Sequence, residues 1–165
     1  MGVKIRNRHR LRNKEIRKLL SELENIFDYS LFDEKASVET GEYEGSKIVL
    51  VDGQPYFTYF EDRLFFTLHG LNKYNPQNYF VVVDMGAVKF VTSGADVMAP
   101  GIIDADNEIK ENDLVWICDE KHHKPLAVGI AVMNGEQMIN EKKGKAISVF
   151  HHVGDRLWNF PHKGL

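Results

Sequence analysis

The hydrophobic pattern changes period along the chain. From Lys4 to Arg12 the alternation is strict: Lys or Arg fills every even position, while Val3, Ile5 and Leu11 share the odd positions with Asn7 and His9. Period two is that of an extended strand. The segment is therefore expected to show Lys4, Arg6, Arg8, Arg10 and Arg12 as one row on one face, ~26 Å long at ~6.6 Å between alternate side chains. From Asn13 to Phe27 the period becomes helical, with Ile16, Leu19, Leu20, Leu23, Ile26 and Phe27 on one stripe. Asn13 is the expected N-cap. Lys14, Arg17 and Lys18 crowd the helix start, where the macrodipole disfavours cations; such local conflicts concentrate at functional surfaces.

A β-rich stretch follows. Ser46–Val51 and Gln54–Phe60 flank Asp52-Gly53, the strongest short hairpin signal, and Leu64–Thr67 continues beyond the turn at Glu61-Asp62-Arg63. Tyr56, Phe57, Tyr59, Phe60, Phe65 and Phe66 could form a base-stacking platform, but the density of aromatics favours the core of a small domain. A short helix over Leu68–Tyr74 ends at Asn75-Pro76, a turn and a domain boundary. Tyr79–Val83 reads as a buried strand. Asp84 can cap a helix over Gly86–Ser93, with Gly94 placed to end it, and Pro100-Gly101 marks a turn. Leu114–Cys118, Leu126–Val132, Ala146–His151 and Leu157–Phe160 are short strand candidates, with a helical turn near Glu136–Glu141. This pattern suggests an α+β module at residues 1–76 and a partly open β-barrel at 77–165.

The chain has 165 residues and a formal net charge of −3, which conceals a split. Residues 1–18 hold eight Lys or Arg against one acid, Glu15; the rest hold 13 basic and 23 acidic side chains. The expectation is a basic edge on an acidic body. No apolar run reaches the ~18 residues of a membrane span, and no apolar stretch of signal-peptide length follows the basic start. Cys118 is the only cysteine, which excludes an internal disulfide framework or a Cys-pair zinc site. A soluble cytoplasmic protein without membrane attachment is expected.

Evidence for catalysis is thin. Adjacent histidines on a strand point to opposite faces, so neither His122-His123 nor His151-His152 can converge on one metal by itself; these read as surface or loop residues. Cys118 sits among apolar neighbours and reads as a buried hydrophobe. No G-x-S-x-G, P-loop or G-x-G-x-x-G is present. Neither a catalytic residue nor a metal or organic cofactor is expected. The run from Val83 to Gly101 is different. It joins a strand, a glycine-bounded helix, a short strand and a Pro-Gly turn, an arrangement whose backbone can approach another backbone closely and whose N–H groups can bind phosphate.

That run, D-x-G-A-x-x-x-V-x-x-G-A-x-V-M-x-P-G, resembles the opening of a PUA domain, an RNA-binding fold. The likeness continues through Ala127-Val128-Gly129-Ile130-Ala131 and ends with Gly154-Asp155-Arg156-Leu157-Trp158. Phe65–Tyr74 and Arg12–Ile16 are similar to the pre-PUA region of the malignant T-cell amplified sequence family of translation-machinery-associated proteins. The resemblance implies a pre-PUA α+β module followed by a PUA β-pseudobarrel with short helices. It also implies binding of tRNA or rRNA, association with the small ribosomal subunit, and a separate partner with an initiation-factor-like domain. The implied groove comprises Lys89, Phe90, Ser93, Gly94, Ala95, Asp96, Val97 and Met98, with Arg156 near its other wall. Lys89 would contact phosphate, Gly94-Ala95 would admit close backbone approach, and Asp96 would read a base or sugar. Phe90 and Val97 are favoured as core.

The resulting expectation is a non-catalytic RNA-binding protein of the translation apparatus, selecting RNA by shape and unpaired bases, with the Lys4–Arg12 row adding phosphate contacts. An accessory role in tRNA or rRNA modification is the nearest alternative. Another is a protein-interaction adaptor with weak RNA binding; a small-molecule enzyme using the histidine pairs is the most distant.

Overall fold

The computed structural model describes residues 4–27 and 30–161, which divide between two compact units. One is drawn from Met1–Pro76 and Asn159–Leu165, the other from Gln77–Trp158. Val3 of the expected first strand lies outside the described residues.

The first unit is a five-stranded antiparallel meander in the order β1 (Arg6–Arg10), β2 (Val38–Tyr43), β3 (Ser46–Val51), β4 (Gln54–Phe60), β5 (Arg63–Phe66). It is joined by α1 (Asn13–Phe27) and α2 (Leu68–Tyr74). The helical stripe of α1 buries Ile16, Leu19, Leu20, Leu23 and Phe27. The aromatics form core, as their density suggested: Phe57, Phe65 and Phe66 are buried, and Phe27 lies 4.5 Å from Phe66 between ring centroids. Asp52-Gly53 turns the β3–β4 hairpin with both residues at positive φ, 50° and 83°, the geometry its right-handed twist requires. Phe160 packs edge-on against Tyr43 at 4.8 Å, within this unit.

The second unit is a curled six-stranded sheet in the order β7-β11-β10-β9-β6-β8, built from β6 (Phe80–Val83), β7 (Val97–Met98), β8 (Ile102–Ala105), β9 (Leu114–Asp119), β10 (Pro125–Ala131) and β11 (Lys145–His152). All neighbours are antiparallel except β6 and β9. Helix α3 (Met85–Val91) links β6 to β7, a 3-10 turn (Ala99–Gly101) links β7 to β8, and α4 (Gly135–Asn140) precedes β11. Valines 81, 83, 91, 97 and 115, with Ile102, Ile117, Met138 and Ile147, fill the interior. Among the described residues no helix is long and apolar enough to cross a membrane.

Several local expectations are corrected. Leu157–Phe160 is not a strand: Asp155 accepts the N–H groups of His152 and Trp158 (2.9 and 2.8 Å) and winds the segment into turns. Arg12, not Asn13, caps α1, since its carbonyl accepts the Ile16 N–H (2.9 Å) while Glu15 reaches back to the Arg12 N–H (3.0 Å). Strands β2 and β8 were not anticipated. The first carries one fully buried apolar residue, Val38, so alternation does not betray it. His151 is no surface residue: it is 1% exposed, its Nδ1 2.8 Å from Asp155.

Candidate nucleic-acid interface

In the first unit the sequence-marked cations Arg6, Arg8 and Arg10 lie on β1, which is exposed throughout; Lys4 precedes it and Arg12 follows, both exposed. They do not form the single-faced row that alternation implies. A bulge intervenes between Arg6 and His9, and Asn7 stands at φ 51°. Arg6 is paired with Glu42 but Arg10 with Glu39. Directly opposite residues share a sheet face and neighbours along a strand alternate. Glu42 and Glu39 are three apart, so Arg6 and Arg10 project from opposite faces. The extra residue at the bulge inverts the side-chain alternation.

The charge of the row is also reduced locally. Arg8 donates twice to the Glu39 carboxylate, through Nε (2.6 Å) and Nη2 (3.0 Å). That hydrogen-bonded pairing holds Glu39 below the usual carboxylate range and raises the Arg8 guanidinium. Asn7 donates to Glu42 (3.2 Å). Arg10, Lys14, Arg17 and Lys18 are exposed on β1 and the first turns of α1.

In the second unit the marked residues gather around α3 and the loop after it. The Asp84 side chain caps the helix by accepting the Ala87 N–H (2.9 Å). At the far end the Gly94 N–H donates to Val91 and the Ala95 N–H to Phe90, both at 3.0 Å, with Gly94 at φ 93°. This is a Schellman closure with glycine in the left-handed position. The consequence for chemistry is a correction. The N–H groups of Gly94 and Ala95 are consumed by the helix, as is that of Ser93, which reaches Phe90 at 3.2 Å. They do not form a phosphate cradle.

Asp96 is likewise committed within the protein. Its Oδ2 receives Lys145 Nζ (2.9 Å) and its Oδ1 the Val149 N–H (2.9 Å). The Lys145 hydrogen bond, then that of Val149, hold its carboxyl below the ordinary range. Instead of presenting a free carboxylate, Asp96 brings Lys145 beside the loop. No local pattern links Lys145 to Asp96, 49 residues away in the sequence; only the strand register, Lys145 opposite Met98, joins them.

The surface around this loop is apolar and basic. Phe90 was favoured as core, yet it is 57% exposed, whereas Val97 is buried as favoured. Lys89 Nζ stands 5.1 Å from the centre of the Phe90 ring. Met98 is 50% exposed, and Lys89, Ser93 and Ala95 are exposed with it. His152 ties the end of β11 to this helix. Its Nδ1 lies 3.1 Å from the Thr92 carbonyl and 2.9 Å from that of Val153, two acceptors that require a proton on Nδ1. Arg156, exposed, follows in the turn built on Asp155.

Burial pushes the Cys118 thiol up to about 12, so it is no nucleophile at neutral pH. His122 and His123 sit exposed in the β9–β10 turn. Among the described residues no three His, Cys, Asp or Glu side chains gather as a metal ion would need.

This arrangement has relatives. The PUA domain family matches residues 79–153, and a domain of unknown function, DUF1947, matches residues 7–74. An uncharacterised protein of Methanocaldococcus jannaschii is 46% identical over 96% of this chain and 99% of its own length. Translation machinery-associated protein 20 of Saccharomyces cerevisiae is 33% identical over 84% of this chain and 80% of its own. Among solved structures, a hypothetical protein of Pyrococcus horikoshii superposes with a TM-score of 0.80 at 36% identity, covering 92% of this chain and 97% of that one.

Proposed function

This chain belongs to the translation machinery-associated protein 20 and malignant T-cell-amplified sequence family, a pre-PUA module followed by a PUA domain, and on that premise we propose that it is a non-catalytic RNA-binding protein of the translation apparatus. Its RNA is structured, tRNA or rRNA on the small ribosomal subunit, and its place of work is the cytoplasm. A start-site role would require a separate partner carrying an initiation-factor-like domain.

The observation that carries this reading is the exposed Phe90 beside Lys89. A phenylalanine ring open to water at the end of a helix is a stacking surface for an unpaired base, worth ~1–3 kcal/mol. Lys89 supplies a phosphate contact next to it, Lys145 is held beside the loop by its ion pair with Asp96, and Met98 adds exposed apolar surface. Such a surface suits single-stranded ends and junctions, whose bases are free to stack, rather than duplex interiors. The β1 arginine whose face carries the RNA, Arg6 or Arg10, and the cations opening α1 add a sequence-independent contribution.

The test is an anisotropy titration of a stem–loop with a single-stranded extension, alongside a blunt duplex of the same sequence. Wild type should prefer the extended RNA. Phe90→Ala should weaken that binding by ~1–3 kcal/mol, roughly 5- to 150-fold, and leave the duplex affinity almost unchanged. Equal binding of extended RNA by wild type and variant would overturn the assignment of this surface. Co-sedimentation with small ribosomal subunits, rather than with an RNA-modifying enzyme, separates the translation role from the modification role.

A further inference from the structure

The first unit contains a cavity unrelated to the α3 surface. It lies between α1 and the adjoining face of the sheet, holds about 380 Å³, and is lined by His9, Leu11, Lys18, Glu22, Lys47 and Tyr59, among others. That volume falls within the ~300–1,000 Å³ of small-ligand sites. The wall is laid out by two periodicities. Glu15, Lys18, Leu19 and Glu22 fall three or four apart on α1 and so share one helix face. On the sheet, His9 is opposite Thr40 and Lys47 is opposite Glu42, two residues along β2, so His9, Thr40 and Lys47 share one face. Tyr59 lines the same cavity, its ring 4.5 Å from Lys47 Nζ.

Two kinds of polar group meet here. Glu15 is occupied, accepting the Arg12 N–H (3.0 Å) and lying 3.7 Å from His9. Lys18 and Glu22 make no side-chain hydrogen bond or ion pair among the described residues, and the Lys47 ammonium faces only the Tyr59 ring. Glu22 is close enough to add, after burial, to the upward push on the Tyr59 hydroxyl. The cavity thus offers two ammonium groups, one uncommitted carboxylate, an aromatic ring and the apolar surfaces of Leu11 and Leu19.

We propose that this cavity binds a single nucleotide whose base carries an exocyclic amino group, with Lys18 and Lys47 on the phosphate and Glu22 accepting from the amine. The phosphate needs cations, and the base needs the aromatic and aliphatic wall. A carboxylate can only accept hydrogen bonds, so at the exocyclic positions it favours the amines of adenine, cytosine or guanine over uracil, which has carbonyl oxygens there and only its ring N3–H to donate. Of the β1 arginines, Arg6, opposite Glu42, shares the sheet face of His9 and Thr40 that lines the cavity, whereas Arg10 projects from the other face, so an RNA strand held by Arg6 could deliver one nucleotide into it. The inference rests on the proposed RNA-binding function for the polymer that supplies the nucleotide; the cavity's own preference does not depend on the α3 surface.

The experiment is an NMR titration of the full chain with AMP, CMP, GMP and UMP, with inorganic phosphate as the comparison. Saturable shifts should appear in α1, β3 and β4, with the three amine-bearing nucleotides binding about tenfold tighter than UMP, the worth of one charge-assisted hydrogen bond. Glu22→Gln should abolish that preference by supplying a donor as well as an acceptor. Lys47→Met should weaken all four nucleotides about tenfold. Phe90→Ala should leave mononucleotide binding unchanged even where it abolishes RNA binding, which distinguishes failure of this site from failure of the α3 surface. Absence of saturable shifts at millimolar nucleotide would overturn the proposal. So would UMP binding as tightly as the others, or phosphate binding as tightly as the nucleotides.

Discussion

At Gly94 the backbone stands at φ 93°, and a Cβ built there would lie 2.8 Å from His152 Nε2. The glycine is required by the closure of α3 before any ligand is considered. Gly94→Ala is therefore expected to lower the unfolding free energy by about 1–2 kcal/mol, the left-handed penalty for an L side chain, measured by urea titration. An unchanged midpoint would show that the loop relaxes at no cost. For the same reason a bulkier Gly94→Val cannot serve as a probe of RNA binding, because it perturbs the fold first. Phe90→Ala, at an exposed position, is the cleaner probe. Asp155 carries the second residue-scale prediction. Burial works to raise its carboxyl, but the hydrogen bond from His151 and the N–H groups of Trp158 and His152 prevail and hold it below the ordinary range. A depressed folded value means that its stabilisation is complete above the unfolded value of ~3.9 and is lost as pH falls through it toward the folded value. Urea midpoints should decline across that acid window in wild type and decline less steeply in Asp155→Asn, which should already be weaker at neutral pH.

At the scale of elements, β1 shows how one inserted residue redirects a charge pattern. The strand is where the alternation places it, but the bulge at Asn7 turns Arg6 and Arg10 to opposite faces, and Glu39 neutralises Arg8. An RNA strand following one face cannot engage all three. Single alanine substitutions should consequently be unequal. Arg8→Ala should scarcely alter the salt dependence of RNA binding. Only one of Arg6→Ala and Arg10→Ala, the one whose face carries the RNA, should flatten the slope of log K against log salt, by ~0.7–0.9 for one phosphate contact. Equal effects from all three would restore the continuous row. In α3 the comparable device is the Schellman closure, which removes the loop N–H groups from any ligand and leaves side chains to do the recognition.

At the scale of the whole molecule, the division into two units separates the two proposed kinds of contact with nucleic acid. The α3 surface sets exposed Phe90 and Met98 beside Lys89 and Lys145; the β1–α1 region carries the denser cluster of cations. Loss of Phe90 should therefore lower affinity at every salt concentration, while loss of the β1 arginine whose face carries the RNA should matter most in dilute salt, where phosphate contacts dominate. If each acts on the RNA by itself, the double variant should lose the product of the two single losses, and departure from that product measures their coupling.

The amino-acid sequence by itself determined the elements whose residues carry their own period or punctuation. Helix α1 follows from its 3.6-residue stripe, and the β3–β4 hairpin from Asp52-Gly53. Helix α2 follows from the Asn75-Pro76 stop and α3 from the Asp84 cap, and the PUA domain from the run between Asp84 and Gly101. These signals are local: they depend on residues a few positions apart, whose geometry the backbone dictates. Tertiary structure alone decided what depends on distant partners. Val38 defines β2 only once β3 lies beside it, and Asp96 is committed to Lys145 and Val149 only once these are folded against it. His151 becomes buried because Asp155 winds the chain back over it. Phe90 shows the limit most plainly, since its apolar character predicts burial and only the packing of α3 against the sheet decides which side of a short helix stays in water. The reason is physical in each case: periodicity reports the face a residue occupies, while burial, pairing and exposure are set by whichever segment the fold brings to that face.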